Sequence, residues 1–286
     1  MKSSYGKLLL TPAVLSGLYL LAVMPRLTGK PDMTPFETKF YAHRGLHDNR
    51  SQAPENSMAA FRKAVEAGYG IEMDVQLTAD KVPVIFHDFT LNRVCGAEGY
   101  VKDYTFEQLQ KLNLFMSGEK IPALRDVLEM VDGRVPLIIE YKSNDMDMTI
   151  CEKVDPMLRA YKGIYRIESF NPLILLWYRR HRPKVMRGQL SDVFYREPEY
   201  RPLPKAVQML PFQFLIGNFL SKPDFIAYNH LYESNLSRRL CRDLYKAKAA
   251  AWTIKSRGEL AKAKRSFDVF IFDSFLPEGP EGTGGA

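Results

Sequence analysis

"GIEMDVQLTADKVPVIFHD", Gly70–Asp88, sets two carboxylates two residues apart in an apolar run and then turns back on itself. Ile71, Met73 and Val75 alternate with Glu72 and Asp74, so an extended chain carries both acids on one face. Unpaired charge in a buried strand is costly, and something must neutralise it. The link "TADK" is too short for a crossover helix, which predicts that Val82–Asp88 returns antiparallel as a hairpin. If the turn is centred between Ala79 and Asp80, Glu72 falls opposite His87, on the face of Asp74.

Outward from this hairpin runs a rhythm of short apolar segments, each followed by a polar, helix-like stretch. The segments are "FYAHRG" from Phe40, "GIEMDVQL", "VPLIIEYK" from Val135, "RIESF" from Arg166, "VMRGQLS" from Val185, "DFIAYN" from Asp224, "AAAWTIK" from Ala249 and "DVFIFD" from Asp268. They supply the eight strands of a (β/α)8 TIM barrel, with the hairpin added after strand two. "SMAAFRKAVEAG" reads as a helix capped by Asn56 or Ser57 and stopped at Gly68, and Thr105 with Gln108 has capping-box spacing. A chain of 286 residues, 46% hydrophobic and 26% charged, has enough apolar material for one such core and is not disordered.

The ends read differently. Leu8–Met24 is an uncharged apolar run between Lys2 and Lys7 on one side and Arg26 and Lys30 on the other. At about 1.5 Å per residue it reaches roughly 25 Å, which predicts a single membrane-spanning helix within an anchor at 1–30. No small-residue cleavage site follows it, which argues against a signal peptide. Flanking charge leaves the topology open. Cys95, Cys151 and Cys241 lack the spacing of a disulfide framework or a zinc site, a weak lean to the cytoplasmic face. The barrel domain is placed at 38–276, and 277–286, rich in Pro and Gly, as a frayed tail.

Chemistry concentrates at strand ends. Glu140 closes "VPLIIE" as Glu72 and Asp74 close theirs, and three carboxylates at one barrel mouth suit one hard divalent cation, Mg²⁺ or Ca²⁺. Pairing with barrel arginines and lysines is the plainer alternative. His43 and His87 end separate strands and suit a general acid and base. Arg44 and Lys142 offer donors to a phosphate, and Gly45 allows a sharp exit from the strand.

In this order, "HRG" (His43–Gly45), "PENS" (Pro54–Ser57), "EMD" (Glu72–Asp74), "FHD" (Phe86–Asp88) and "IEYK" (Ile139–Lys142) resemble the glycerophosphodiester phosphodiesterase family of phospholipase-C-like TIM barrels. "TLNRV" and "KIPALRDVLEMV" extend the likeness, which runs from Phe40 to about Asp273. The resemblance implies His43 and His87 as the acid/base pair and Glu72, Asp74 and Glu140 as metal ligands. It implies Arg44 and Lys142 on the phosphate, Glu55 and Asn56 as supports, and Trp252 as a wall of the glycerol pocket. The implied reaction releases glycerol 3-phosphate and an alcohol. A lysophospholipase D-type membrane phosphodiesterase of the same fold is the alternative. A non-catalytic lipid-binding barrel would normally have lost part of the acid/base or metal set, and here every member is present. Ser57, Lys255 and "FDSF" depart from the family pattern, which bears on the leaving-group pocket.

The basic runs "WYRRHRPK" and "SRRLCRDLYKAK" supply much of the net charge of +7. They read as solvated helix faces or as contacts with anionic headgroups, and no nucleic-acid motif accompanies them. "VQMLPFQFLIGNFLSKPDF" reads as a core-covering helix, or as an interfacial flap. His47, His181 and His230 have no strand-end partner in the sequence.

Overall fold

The computed structural model describes residues 3–37, 40–143, 146–196 and 200–277. All but the first residue of the expected tail lie outside that range. Nine strands are present among the described residues: β1 (Phe40–His43), β2 (Gly70–Leu77), β3 (Pro83–Ile85), β4 (Leu137–Tyr141), β5 (Tyr165–Ser169), β6 (Arg187–Ser191), β7 (Phe225–Asn229), β8 (Lys248–Ile254) and β9 (Val269–Phe272). Eight of them pair parallel in the order β1-β2-β4-β5-β6-β7-β8-β9, and β9 returns to β1 to close the barrel. Every segment read as a barrel strand from the sequence is one.

The ninth strand is the hairpin return, antiparallel to β2. Its register differs from the expected one by a residue: Val75 faces Ile85, so the position opposite Glu72 would be 88 rather than 87. The turn holds one more residue than the tight link assumed, because Thr78 Oγ1 bonds both Asp80 Oδ1 (2.5 Å) and the Val82 amide (2.9 Å) and closes a wider loop. β3 stops at Ile85, and His87 reaches the mouth from the loop beyond it.

Two apolar layers hold the barrel. Ile71, Met73, Val75, Ile139 and Ile167 face outward against Phe61, Leu124, Val127, Val154 and Ile174 of the surrounding helices. Each such side chain contributes about 1.5–3 kcal/mol on burial. Inside, Tyr41, Ile138, Met186, Leu190, Phe225, Ala227, Ala250 and Ile271 form one cluster, with Met33 and Phe36 closing its lower end. Gly188 makes room for this filling, since a Cβ there would stand 2.1 Å from the Phe225 ring. The helix Met58–Glu66 begins at Ser57, whose side chain accepts from the Ala60 amide, and the capping box of Thr105 and Gln108 forms.

The N-terminal membrane helix is not supported. A helix runs from Ser3 to Val23, but among the described residues no helix is long and apolar enough to cross a membrane. Its last turns lie against the protein instead. Tyr19 Oη is 2.6 Å from Ser237 Oγ, Tyr245 Oη donates to the Leu20 carbonyl at 2.9 Å, and Asn218 Nδ2 donates to the Val23 carbonyl at 2.9 Å. The end of the helix is thus fastened to the lower side of the barrel, while Val14, Leu15, Leu18 and Leu21 stay exposed. Single-pass anchoring and a membrane partner through this helix fall with it. The segment read as core-covering, Val207–Phe225, divides: Val207, Leu210 and Phe212 are exposed, while Leu215 joins the core.

Candidate active site

Strand alternation carries both acids of β2 into the barrel, and parallel pairing sets Asp74 beside Glu140 of β4. Glu72, Asp74 and Glu140 are buried, and each offers a carboxylate oxygen within 4.8 Å of the others. Asp74 Oδ1 is buried with no hydrogen-bond partner, while Oδ2 accepts from Asn56 Nδ2 at 2.9 Å. Burial and the neighbouring carboxylates push Glu72 well above its usual range and lift Glu140 to about 7. Burial also opposes ionisation of Asp74, but His87, Lys142 and Arg44 outweigh it and hold that carboxyl low. Lys142 Nζ stands 3.0 Å from Glu140 Oε1 and 3.7 Å from Asp74 Oδ1. Converging, mutually repelling carboxylates with a bare oxygen fit a divalent cation.

Sharp turns bring the flanking groups in. Arg44 has φ +56° and Gly45 φ +84°, so the chain leaves β1 abruptly. A Cβ on Gly45 would lie 2.8 Å from the Ala60 backbone. The Arg44 amide donates to Glu72 Oε2 at 3.2 Å, and its guanidinium donates to Glu55 Oε1 at 2.7 Å and lies 3.5 Å from Asp74 Oδ2.

Each histidine has a carboxylate at Nδ1. Asp88 Oδ1 is 2.6 Å from His87 Nδ1, and Arg93 fixes Asp88 while also gripping Glu55 with both terminal nitrogens. Asp273, just past β9, lies 3.8 Å from His43 Nδ1 and 3.7 Å from His47 Nε2. His43 Nε2 points to Glu72 Oε2 at 4.0 Å. Burial and the Arg44 charge lower His43 to about 4, and burial with Lys142 lowers His87. Both rings are therefore neutral near pH 7, able to take a proton and to hold one on a chosen nitrogen.

The profile of the glycerophosphoryl diester phosphodiesterase family matches residues 43–269. The chain belongs to that family. It is accordingly a phosphoric diester hydrolase. It is 37% identical over 192 residues, 63% of this chain and 78% of the relative, to the glycerophosphodiester phosphodiesterase of Caldanaerobacter subterraneus. It is 40% identical over 272 residues, 83% of this chain and 78% of the relative, to glycerophosphodiester phosphodiesterase 1 of Bos taurus. Among solved structures, an Oleispira antarctica phosphodiesterase in complex with the product sn-glycerol-3-phosphate superposes with a TM-score of 0.64. That pair is 22% identical, with 82% of this chain and 92% of the other covered, and shares the fold.

Of the ten residues singled out from the sequence, His43, Arg44, Glu140 and Lys142 lie at the carboxyl ends of β1 and β4, Glu55, Asn56 and His87 in the loops beyond strands, and Glu72, Asp74 and Trp252 within β2 and β8. Trp252 packs edge-on to Phe170 at 5.8 Å, and its indole nitrogen is buried without a partner. Lys255 is exposed, and its amide donates to Glu259 Oε2 at 2.6 Å. Four partners escaped the sequence reading: Asp273, Arg93, His47 and Glu168. Asp273 ends the last strand, the position where a polar residue belongs to a barrel's site. Glu168 is buried in β5 directly beside Glu140, and burial lifts it to about 8.

Proposed function

We propose that the chain hydrolyses glycerophosphodiesters to glycerol 3-phosphate and an alcohol, with one divalent cation, Mg²⁺ or Ca²⁺, held by Glu72, Asp74 and Glu140. The observation that carries this reading is the pair of histidines, each with a carboxylate at Nδ1, on either side of the three-acid cluster. When bound, the cation supplies Lewis-acid polarisation of the phosphoryl oxygens.

The chain's own residues do the rest. His43, neutral above about pH 5 because burial holds it near 4, takes the proton of the attacking oxygen at Nε2. His87, its Nδ1–H held by the Asp88 carboxylate, presents Nε2 to the leaving alcohol and donates from the imidazolium form, whose charge Asp88 stabilises. Arg44 and Lys142 hold the phosphate, and both already lie against the acid cluster. Glu55 fixes Arg44, and Asn56, with φ +55°, fixes Asp74. Trp252 forms the wall against which the glycerol carbons lie.

A second reading concerns the alcohol. A cavity of 480 Å³ lined by Phe170, Leu173, Phe194, Met209 and Phe212 adjoins Trp252 through Phe170. That apolar lining favours a lysophospholipid, whose glycerol carries a hydrocarbon chain. Turnover of glycerophosphocholine against lysophosphatidylcholine separates the two. The chemistry itself is tested by His43→Ala with His87→Ala: loss of roughly 10²–10⁴-fold per histidine is expected, and retained turnover overturns the acid/base roles.

A further inference from the structure

The lower end of the barrel, where strands begin, holds a second concentration of charge. An open cavity of 410 Å³ lies between the segment that leaves the first helix, Met24–Thr28, and the starts of β6 and β7. Its lining carries Arg26, Arg179, Arg187 and Lys222 and no acidic side chain. The one carboxylate behind it, Asp224, is 1% exposed and already engaged: Oδ1 lies 3.3 Å from Arg26 Nη1, and Oδ2 accepts from the Arg187 amide at 3.1 Å. Four positive charges against that single negative one leave a marked excess.

The four cations are held in place by backbone carbonyls. Arg26 Nη1 donates to Pro183 at 2.9 Å, Arg179 Nη1 to Leu220 at 2.6 Å, Arg187 Nη2 to Lys222 at 2.8 Å, and Lys222 Nζ to Met24 at 3.0 Å. Each arginine keeps further N–H groups, and each neutral carbonyl leaves the charge uncompensated. The Arg187 side chain is 2% exposed, and its Nη1 is buried with no hydrogen-bond partner, 3.6 Å from Asp224 Oδ2. Arg187 therefore backs the cavity as a buried charge, with Nη1 set against Asp224. Burial and mutual repulsion lower both Lys222 and Arg187, as fits a cluster that lacks its counter-ion.

We propose that this cavity is an anion site for a tetrahedral oxyanion of the phosphate class, separate from the catalytic mouth, and that its occupant fastens the N-terminal helix to the barrel. The oxyanion accepts from the spare N–H groups of Arg26, Arg179 and Lys222, with the buried Arg187 charge behind them. Arg26 and Lys222 tie the N-terminal helix to the β6 and β7 ends, so neutralising their repulsion stabilises that junction. The ligand is either a free phosphate or phosphomonoester or the headgroup of an anionic lipid, two sources with the same chemistry.

Thermal unfolding of the full chain with inorganic phosphate, against sodium chloride at equal ionic strength, tests the proposal. A saturable rise of the midpoint, about 3 °C at ten times Kd, is expected beyond the chloride control. It should be abolished in Arg179→Gln with Lys222→Gln and retained in Lys142→Met, which empties the catalytic phosphate position. A rise lost only in Lys142→Met places the phosphate at the mouth and overturns the proposal, as does a rise unaffected by Arg179→Gln with Lys222→Gln. Sedimentation with phosphatidylglycerol vesicles forms the second arm. Pelleting that the double variant abolishes, with no response to free phosphate, assigns the site to a headgroup. No response in either arm overturns it.

Discussion

Asp273 Oδ2 lies 3.8 Å from His43 Nδ1, placing a carboxylate behind the one histidine that faces Glu72. The same carboxylate reaches His47 through its other oxygen at 3.7 Å. Burial opposes its ionisation, but the two histidines outweigh burial and hold Asp273 well below the usual carboxylate range. It is therefore ionised at working pH, and its charge, 3.8 Å from Nδ1, favours the His43 tautomer with the proton on that nitrogen.

Asp273→Asn keeps the size and removes that bias. The expected result is a fall in kcat of roughly 10–100-fold, as for other residues that orient a working ligand or base, with KM little changed. Steady-state kinetics decides it, and an unfolding midpoint near wild type excludes a merely structural loss. Equal changes in KM and none in kcat would contradict the role.

Glu168 makes a prediction about pH and stability. Burial lifts its folded-state value to about 8 from the ordinary 4.5, so the folded protein holds this proton more tightly than the unfolded chain. Its stabilising contribution is complete below pH 4.5 and is lost as pH rises through about 8. Glu168→Gln should flatten the decline of the unfolding midpoint between those values in chelator-treated protein. A decline as steep as in wild type would assign the loss to other groups.

Cation affinity should depend on pH through Glu140, which burial and Asp74 raise to about 7. A cation must displace this proton, so apparent affinity should improve by roughly tenfold per pH unit for one proton displaced and level off above about 7. Calorimetric titration with Mg²⁺ or Ca²⁺ from pH 5.5 to pH 8.5 measures the slope and the protons released. A flat profile would mean that Glu140 is not a ligand.

Much of this was legible in the sequence because barrel chemistry sits at strand ends and strands alternate. Glu72, Asp74 and Glu140 break apolar runs, and the physics that makes such breaks costly marks them as a site. The same signal was present in "RIESF", where Arg166 and Glu168 are two apart and both buried. There the charges are opposite, so they read as a pair and not as an anomaly. Arg166 lies over the rings of Phe36, Tyr41 and Phe225, 4.6–5.1 Å from their centroids, a cage assembled from distant segments that no local pattern reveals. In Leu8–Met24 hydropathy cannot show the polar bonds that fasten the last turns of the helix, because their partners Ser237, Asn218 and Tyr245 come from distant parts of the chain. The hairpin register slipped by one because Thr78 closes a wider turn through its side chain.

The most direct test of the account is turnover of glycerophosphocholine after exhaustive chelation and after Mg²⁺ or Ca²⁺ is restored, with the unfolding midpoint followed in parallel. Wild type should lose turnover on chelation and regain it with the cation, and a cation at 100 times Kd should add about 2.7 kcal/mol of stability. In Glu72→Gln, which keeps the size and removes one charge from the cluster, both responses should shrink together. If chelation changes neither turnover nor the midpoint of the wild-type protein, Glu72, Asp74 and Glu140 are structural partners of Arg44 and Lys142, and the cation-dependent reaction is contradicted.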